Sequence, residues 1–131
     1  MDTGSDEVEF NGIKVLVVED EAMIRTSMQM HLPAYGYRVK LAKDGREGLE
    51  AYQSKPSDYD VVLMDMNMPN MKGDEAFRAM KEINPDIQCI IMSGYMDDHQ
   101  ALIQDDPSIQ VVVKPFRIEE ILESIEKATT K

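Results

Sequence analysis

Five runs of apolar or β-branched residues mark the chain, at 14–18, 38–42, 61–64, 87–92 and 109–113. Successive runs start 24, 23, 26 and 22 residues apart. That spacing holds a helix and two short loops, which antiparallel hairpins do not need, so the pattern predicts parallel strands joined by crossover helices. Neither repeats nor low-complexity tracts interrupt it, and no internal linker divides it.

The segments between the runs carry helix signals of unequal strength. Ile118, Ile121, Leu122 and Ile125 match the i, i+3, i+4, i+7 stripe of an amphipathic helix. Ala76, Ala79, Met80 and Ile83 match it as well. Asp44 with Glu47 three residues later forms an Asp-headed capping box for a helix reaching about residue 54, where Pro56 blocks continuation. Another helix is expected from Glu21 to about Leu32. Residues 97–104 give the weakest signal, with only Ala101, Leu102 and Ile103 apolar, and predict a short or mobile helix.

Strand composition suggests the order across the sheet. Residues 15–18 and 61–64 are continuously apolar, as expected of central strands covered on both faces, whereas 38–42 alternates like an edge strand. Right-handed crossovers covering both faces then favour a three-layer, doubly wound α/β fold of strand order 2-1-3-4-5.

Composition narrows the function classes. The 131 residues and 43% apolar content fit one domain with a real core. A net charge of −11 repels phosphate backbones and anionic lipid, which argues against direct nucleic-acid binding or membrane contact. The single cysteine, Cys89, lies in an apolar run as a small hydrophobe and fits a reducing, cytoplasmic setting. No window approaches the roughly 20 apolar residues of a spanning helix, and the acidic start does not read as a signal peptide. Residues 1–11 read as a disordered acidic leader or an expression remnant, leaving 12–131 as the domain.

In an open parallel sheet, ligands bind beyond the carboxyl ends of the strands, near the point where strand order reverses. The residues at those ends are Glu19 and Asp20 after the first strand, Asp65 after the third, Ser93 after the fourth and Lys114 with Pro115 after the fifth. Taken singly, each is an ordinary solvated charge or a helix cap. Together they make an acidic pocket. Three carboxylates gathered within roughly 5 Å repel at about 3 kcal/mol per pair at an effective dielectric near 20. One lysine offsets part of this, and a hard divalent cation such as Mg²⁺ suits the remaining oxygen ligands. Phosphoryl transfer needs an aligned nucleophile and positive charge around the phosphoryl oxygens. Asp65 can attack phosphorus as an already ionised carboxylate, while Lys114 and the Ser93 hydroxyl hold oxygens of the transferred group.

The segments Val15-Leu16-Val17-Val18-Glu19-Asp20, Val61-Val62-Leu63-Met64-Asp65-Met66-Asn67-Met68-Pro69, Met92-Ser93-Gly94 and Val113-Lys114-Pro115-Phe116 resemble the receiver domains of bacterial response regulators. The resemblance spans roughly residues 13–127 and implies the flavodoxin-like version of the fold already inferred. It implies phosphorylation of Asp65 by a sensor histidine kinase or a histidine phosphotransfer protein. Glu19, Asp20, Asp65 and the main-chain carbonyl of Asn67 would serve Mg²⁺. It further implies a cis Lys114-Pro115 bond, a loop role for Gly73 with a positive φ, and an influence of Tyr95 on phosphoryl lifetime, here read as screening attacking water. One departure is Val111, which stands three residues before the lysine where many receivers carry Tyr or Phe.

The expected role is thus a phosphoacceptor switch that promotes its own phosphotransfer and dephosphorylation, with kinase activity only as part of a larger hybrid kinase. Ser93-Gly94-Tyr95 resembles hybrid-kinase receivers. The chain reads as a stand-alone receiver or one excised from a larger protein, its downstream protein and phosphorylation-dependent homodimerisation left open. The first and last helices are the expected docking faces for a phosphodonor, and the region of residues 97–104 is the expected output surface. Two alternatives stay in view. An aspartate-nucleophile, Mg²⁺-dependent phosphatase usually has an Asp two residues after the nucleophile, where this chain has Asn67. A phosphorylation-independent interaction module would tolerate loss of the acceptor or lysine, both present here. His31 and His99 lack metal-ligand spacing, and Met66, Met68 and Met71 are expected to fill core or loop rather than form a docking surface.

Overall fold

The computed structural model describes residues 9–66, 68–94, 106 and 109–130. Within them β1 (Lys14–Val18), α1 (Ala22–Ala34), β2 (Arg38–Ala42), α2 (Gly45–Ser54), β3 (Val61–Asp65), α3 (Gly73–Ile83), β4 (Cys89–Ser93), β5 (Gln110–Val113) and α4 (Ile118–Thr129) follow in order. The strands form one parallel sheet of order β2-β1-β3-β4-β5. This is the doubly wound arrangement expected from the sequence. The segment 97–104 lies outside the described residues.

The sheet separates two apolar layers, and strand alternation assigns each side chain to one of them. Leu16, Val18, Val62, Met64, Cys89 and Ile91 face the side of α2 and α3, packing with Tyr52, Phe77 and Met80. Val15, Val17, Val61, Leu63, Ile90 and Met92 face α1 and α4, packing with Met28, Leu32, Ile121 and Ile125. β1 and β3 are apolar on both faces because each face is covered. β2 is the edge, with Arg38 and Lys40 turned to solvent.

Local chemistry sets the helix ends. Asp44 accepts a 2.8 Å hydrogen bond from Glu47 N and so caps α2 as expected. The Glu47 carboxylate does not return to the cap residue but accepts from Lys43 N at 3.1 Å, one residue earlier. Pro56 opens a single 3₁₀ turn, Pro56–Asp58, instead of extending α2. The stripe expected on α4 holds, with Ile121 and Ile125 buried and Ile118 and Leu122 packed against them. On α3 the buried residues are Gly73, Ala76, Phe77 and Met80, while Ile83 in the last turn is 38% exposed. Phe77, which the stripe did not include, is buried instead.

Candidate functional site

Parallel pairing brings the carboxyl ends of β1, β3, β4 and β5 to one edge of the sheet. Asp65 pairs in register with Met92, and Met66 N continues the ladder to Met92 O at 3.1 Å. Ser93, one residue beyond Met92, is buried, and its carbonyl accepts a 2.8 Å bond from Lys114 N. Thus the backbone of β4 fixes where Lys114 leaves β5. The Lys114-Pro115 bond is cis, as the family resemblance implied. On the other flank, Glu19 N bonds Ala42 O at 3.0 Å, carrying β1 one residue past its last strand position.

Glu19, Asp20 and Asp65 each present a carboxylate oxygen within 4.8 Å of the other two. Glu19 is fully buried and Asp65 is 5% exposed, whereas Asp20 faces solvent. Lys114 Nζ lies 3.2 Å from Asp65 Oδ1 and donates to it, and it lies 3.0 Å from Glu19 Oε1 in an ion pair. That second approach lacks hydrogen-bond geometry, so Glu19 Oε1 is buried without a hydrogen-bond partner. Glu19 Oε2 accepts from Glu21 N at 3.0 Å.

Two participants were not read from the sequence. Glu21 Oε1 accepts a third contact from Lys114 Nζ at 3.2 Å. Arg25 Nη1 donates to the carbonyls of Glu19 and Asp20, each at 2.8 Å, and pins the turn that carries both acids. The third consecutive acid after β1 was a visible signal for Glu21. Arg25 bonds to backbone only, which leaves no side-chain pattern to find.

Burial and neighbouring charge shape the titration of the group. Burial, then the adjacent Asp20 and Glu19 carboxyls, push the Asp65 pKa up to about 8 against the pull of Lys114. Burial and the neighbouring carboxyls thus oppose ionisation of Asp65, while positive charge beside it favours ionisation. Burial likewise raises Glu19, opposed by Glu21 N and Lys114. For Lys114, burial works against the charge, but Glu19 and Asp65 outweigh it and its pKa is raised. The orphaned Glu19 oxygen, the all-oxygen donor set and the excess of negative charge fit a small divalent cation.

Beyond the strand ends, the β3–α3 loop is held close. Gly73 was expected to supply a positive φ, but that conformation belongs to Asn70, at φ 70°. Gly73 is needed for approach: a Cβ there would lie 2.2 Å from Asp65 O. Asn70 Nδ2 also donates to Asp44 Oδ2 at 2.8 Å, tying the loop to the cap of α2. Met66 and Met68 are buried and Met71 packs against the same core, which agrees with filling rather than docking. Val111, in the position of the absent aromatic residue, is half-buried against that core. His31 sits on an exposed face of α1, with Nδ1 2.8 Å from Ser27 O. Asn67, Tyr95 and His99 lie outside the described residues.

Among the described residues no helix is long and apolar enough to cross a membrane. The profile of the response regulator receiver domain family matches residues 15–126. The sensor kinase CckA of Brucella abortus is 32% identical over 118 residues, covering 89% of this chain and 12% of that protein. The chain spans only part of the length of curated relatives it matches, 12% of the Brucella abortus kinase and 50% of the response regulator ArlR of Staphylococcus saprophyticus. A response regulator receiver domain protein from Clostridium thermocellum superposes with a TM-score of 0.81 at 29% identity, covering 89% of this chain and 94% of that one. The response regulator TrrA of Thermotoga maritima, solved in complex with Mg²⁺–BeF, gives 0.78 at 28% identity, covering 88% and 98%. By fold and by sequence across these strand-end segments, the chain belongs to the response regulator receiver domain family of two-component signalling.

Proposed function

We propose that Asp65 is the phosphoacceptor of a phosphorylation-dependent switch, its phosphoryl group supplied by a sensor histidine kinase or a histidine phosphotransfer protein. The observation that supports this most is the position of Asp65, buried between the Lys114 ammonium at 3.2 Å and the Glu19–Asp20 pair. A carboxylate so placed has a cation ready for an incoming phosphoryl oxygen and oxygen donors for a metal. Glu19, Asp20 and Asp65, with the Asn67 carbonyl, are the residues that would hold Mg²⁺. When bound, Mg²⁺ supplies the positive charge that ionises the carboxylates and neutralises phosphoryl oxygens.

In transfer from phosphohistidine, an Asp65 Oδ–phosphorus bond forms as the phosphorus–nitrogen bond breaks. The imidazole, protonated on its other ring nitrogen, leaves as the neutral base, and the product is an acyl phosphate. Lys114 meets an equatorial oxygen as a point charge, and the Ser93 hydroxyl donates to another. Tyr95, two residues after Ser93, is assigned the screening of water from the acyl phosphate. The setting proposed is the cytoplasm, where such kinases present their phosphohistidine.

The test is incubation with acetyl phosphate and Mg²⁺ followed by intact-mass measurement. A single phosphoryl adduct on the wild type, lost in Asp65→Asn and without Mg²⁺, is the expected result. No adduct, or one that persists in Asp65→Asn, refutes the assignment. Repeated hydrolysis of simple phosphate esters would instead identify a phosphatase. Size-exclusion chromatography of the same samples reads whether phosphorylation drives homodimerisation.

A further inference from the structure

Glu21 has a place in this site that the phosphoacceptor assignment does not use. It is the residue before α1, extended at φ −78° and ψ 117°, and its side chain makes no capping hydrogen bond. Its side chain is 59% exposed, against 17% for Lys114 and 6% for Asp65, so it stands at the solvent mouth of the pocket. There it lines a shallow groove with Ile24, Lys114, Pro115 and Phe116. The Lys114 ammonium lies 3.0 Å from Glu19 Oε1 and donates inward to Asp65 and outward to Glu21, both at 3.2 Å. A phosphoryl group approaching Asp65 therefore passes a fixed negative charge and must draw Lys114 away from it.

We propose that Glu21 is a charge gate, a specificity-determining residue that slows phosphorylation by small dianionic donors at the mouth of the site. The inference rests on Asp65 being the phosphoacceptor. Both effects of Glu21, repulsion of the donor and competition for Lys114, act in one direction and scale with donor charge. Its main-chain N–H, which supports Glu19 Oε2 at 3.0 Å, is untouched by side-chain substitution. Glu21→Gln thus removes the charge while leaving the backbone support and an acceptor for Lys114.

The experiment compares wild type, Glu21→Gln and Glu21→Ala, with Mg²⁺, by the rate of phosphoryl adduct formation from two donors. Acetyl phosphate is a dianion near neutral pH; as the Asp65–phosphorus bond forms, its phosphorus–oxygen bond breaks and acetate leaves as the anion. Phosphoramidate carries one net negative charge as the zwitterion, and ammonia leaves. Both substitutions should raise the acetyl phosphate rate about fivefold and the phosphoramidate rate about twofold, the difference shrinking with added salt. Equal acceleration with both donors, no acceleration, or loss of rate confined to Glu21→Ala overturns the gate, the last by showing a mere brace for Lys114. Adducts forming at equal rates in all three proteins remove the gate and leave the phosphoacceptor assignment standing. No adduct in wild type removes both. Matching circular dichroism spectra exclude misfolding as the cause.

Discussion

Replacing Asp65 with Asn should stabilise the protein when divalent cations are chelated, although it destroys the proposed acceptor. Each carboxylate pair at the 4.8 Å limit of the cluster repels by about 3.5 kcal/mol at an effective dielectric of about 20. The Lys114 pair at 3.2 Å attracts by about 5 kcal/mol on the same basis. Neutralising Asp65 removes its repulsion with Glu19 and Asp20 and its attraction to Lys114, a net gain of about 2 kcal/mol. Solvent at Asp20 trims that figure, and relief of the desolvation of the buried Asp65 charge restores it. The effect depends on pH with a definite sign. The folded protein raises the Asp65 pKa from the ordinary carboxylate value to about 8. Its proton-linked stability is therefore fully present below about pH 4 and lost as pH rises through about 8. Urea unfolding in EDTA, followed by far-UV circular dichroism, should find the two proteins alike near about pH 4, with Asp65→Asn gaining progressively above it and more stable by at least about 2 kcal/mol near about pH 8.5. Adding Mg²⁺ to a hundredfold excess over its dissociation constant should then return about 2.7 kcal/mol to wild type, and less to the variant at the same concentration. An Asn variant no more stable than wild type at the higher pH, or an equal response to Mg²⁺, refutes the charge argument.

Gly73→Ala should destabilise by about 2 kcal/mol or more in the same unfolding assay, because its Cβ would meet Asp65 O at 2.2 Å and force the loop off the strand end. Asp44→Ala should cost about 1–2 kcal/mol by removing the α2 cap; in Asp44→Asn, which keeps an acceptor oxygen for Glu47 N, most of that should be recovered. Tyr52→Phe should cost about 1 kcal/mol, since the hydroxyl that accepts from Asn84 Nδ2 at 3.0 Å is lost in a half-buried setting. An Asp44→Ala protein as stable as wild type, or a Tyr52→Phe protein more stable than wild type, would contradict the respective accounts.

The legible part of this protein was the part written in short-range periodicity. The five strands appeared within two residues of their observed starts, because β-branched runs bounded by turn residues leave few competing structures. The buried stripe of α4 was legible for the same reason. On α3 the stripe included Ile83, which is 38% exposed, and missed the buried Phe77, since periodicity gives a face but not its exact edges. Gly73 shows a similar limit. A glycine in a loop suggests a special φ, and only the packed structure reveals that the constraint is a carbonyl 2.2 Å from where a Cβ would stand.

The sequence by itself determined the order of the parallel sheet and which acids, serine and lysine end its strands, because crossover spacing and strand covering are local properties of the chain. Only the tertiary structure decided how these groups share charge. Lys114 meets Asp65 across 49 residues and Glu21 across 93, and both meetings depend on the register between neighbouring strands and on the backbone bond from Lys114 to Ser93. No periodic pattern encodes distances of that kind. They arise when separate strand ends are packed to a fixed depth, which leaves one buried carboxylate oxygen of Glu19 without a hydrogen-bond donor and sets Glu21 at the mouth.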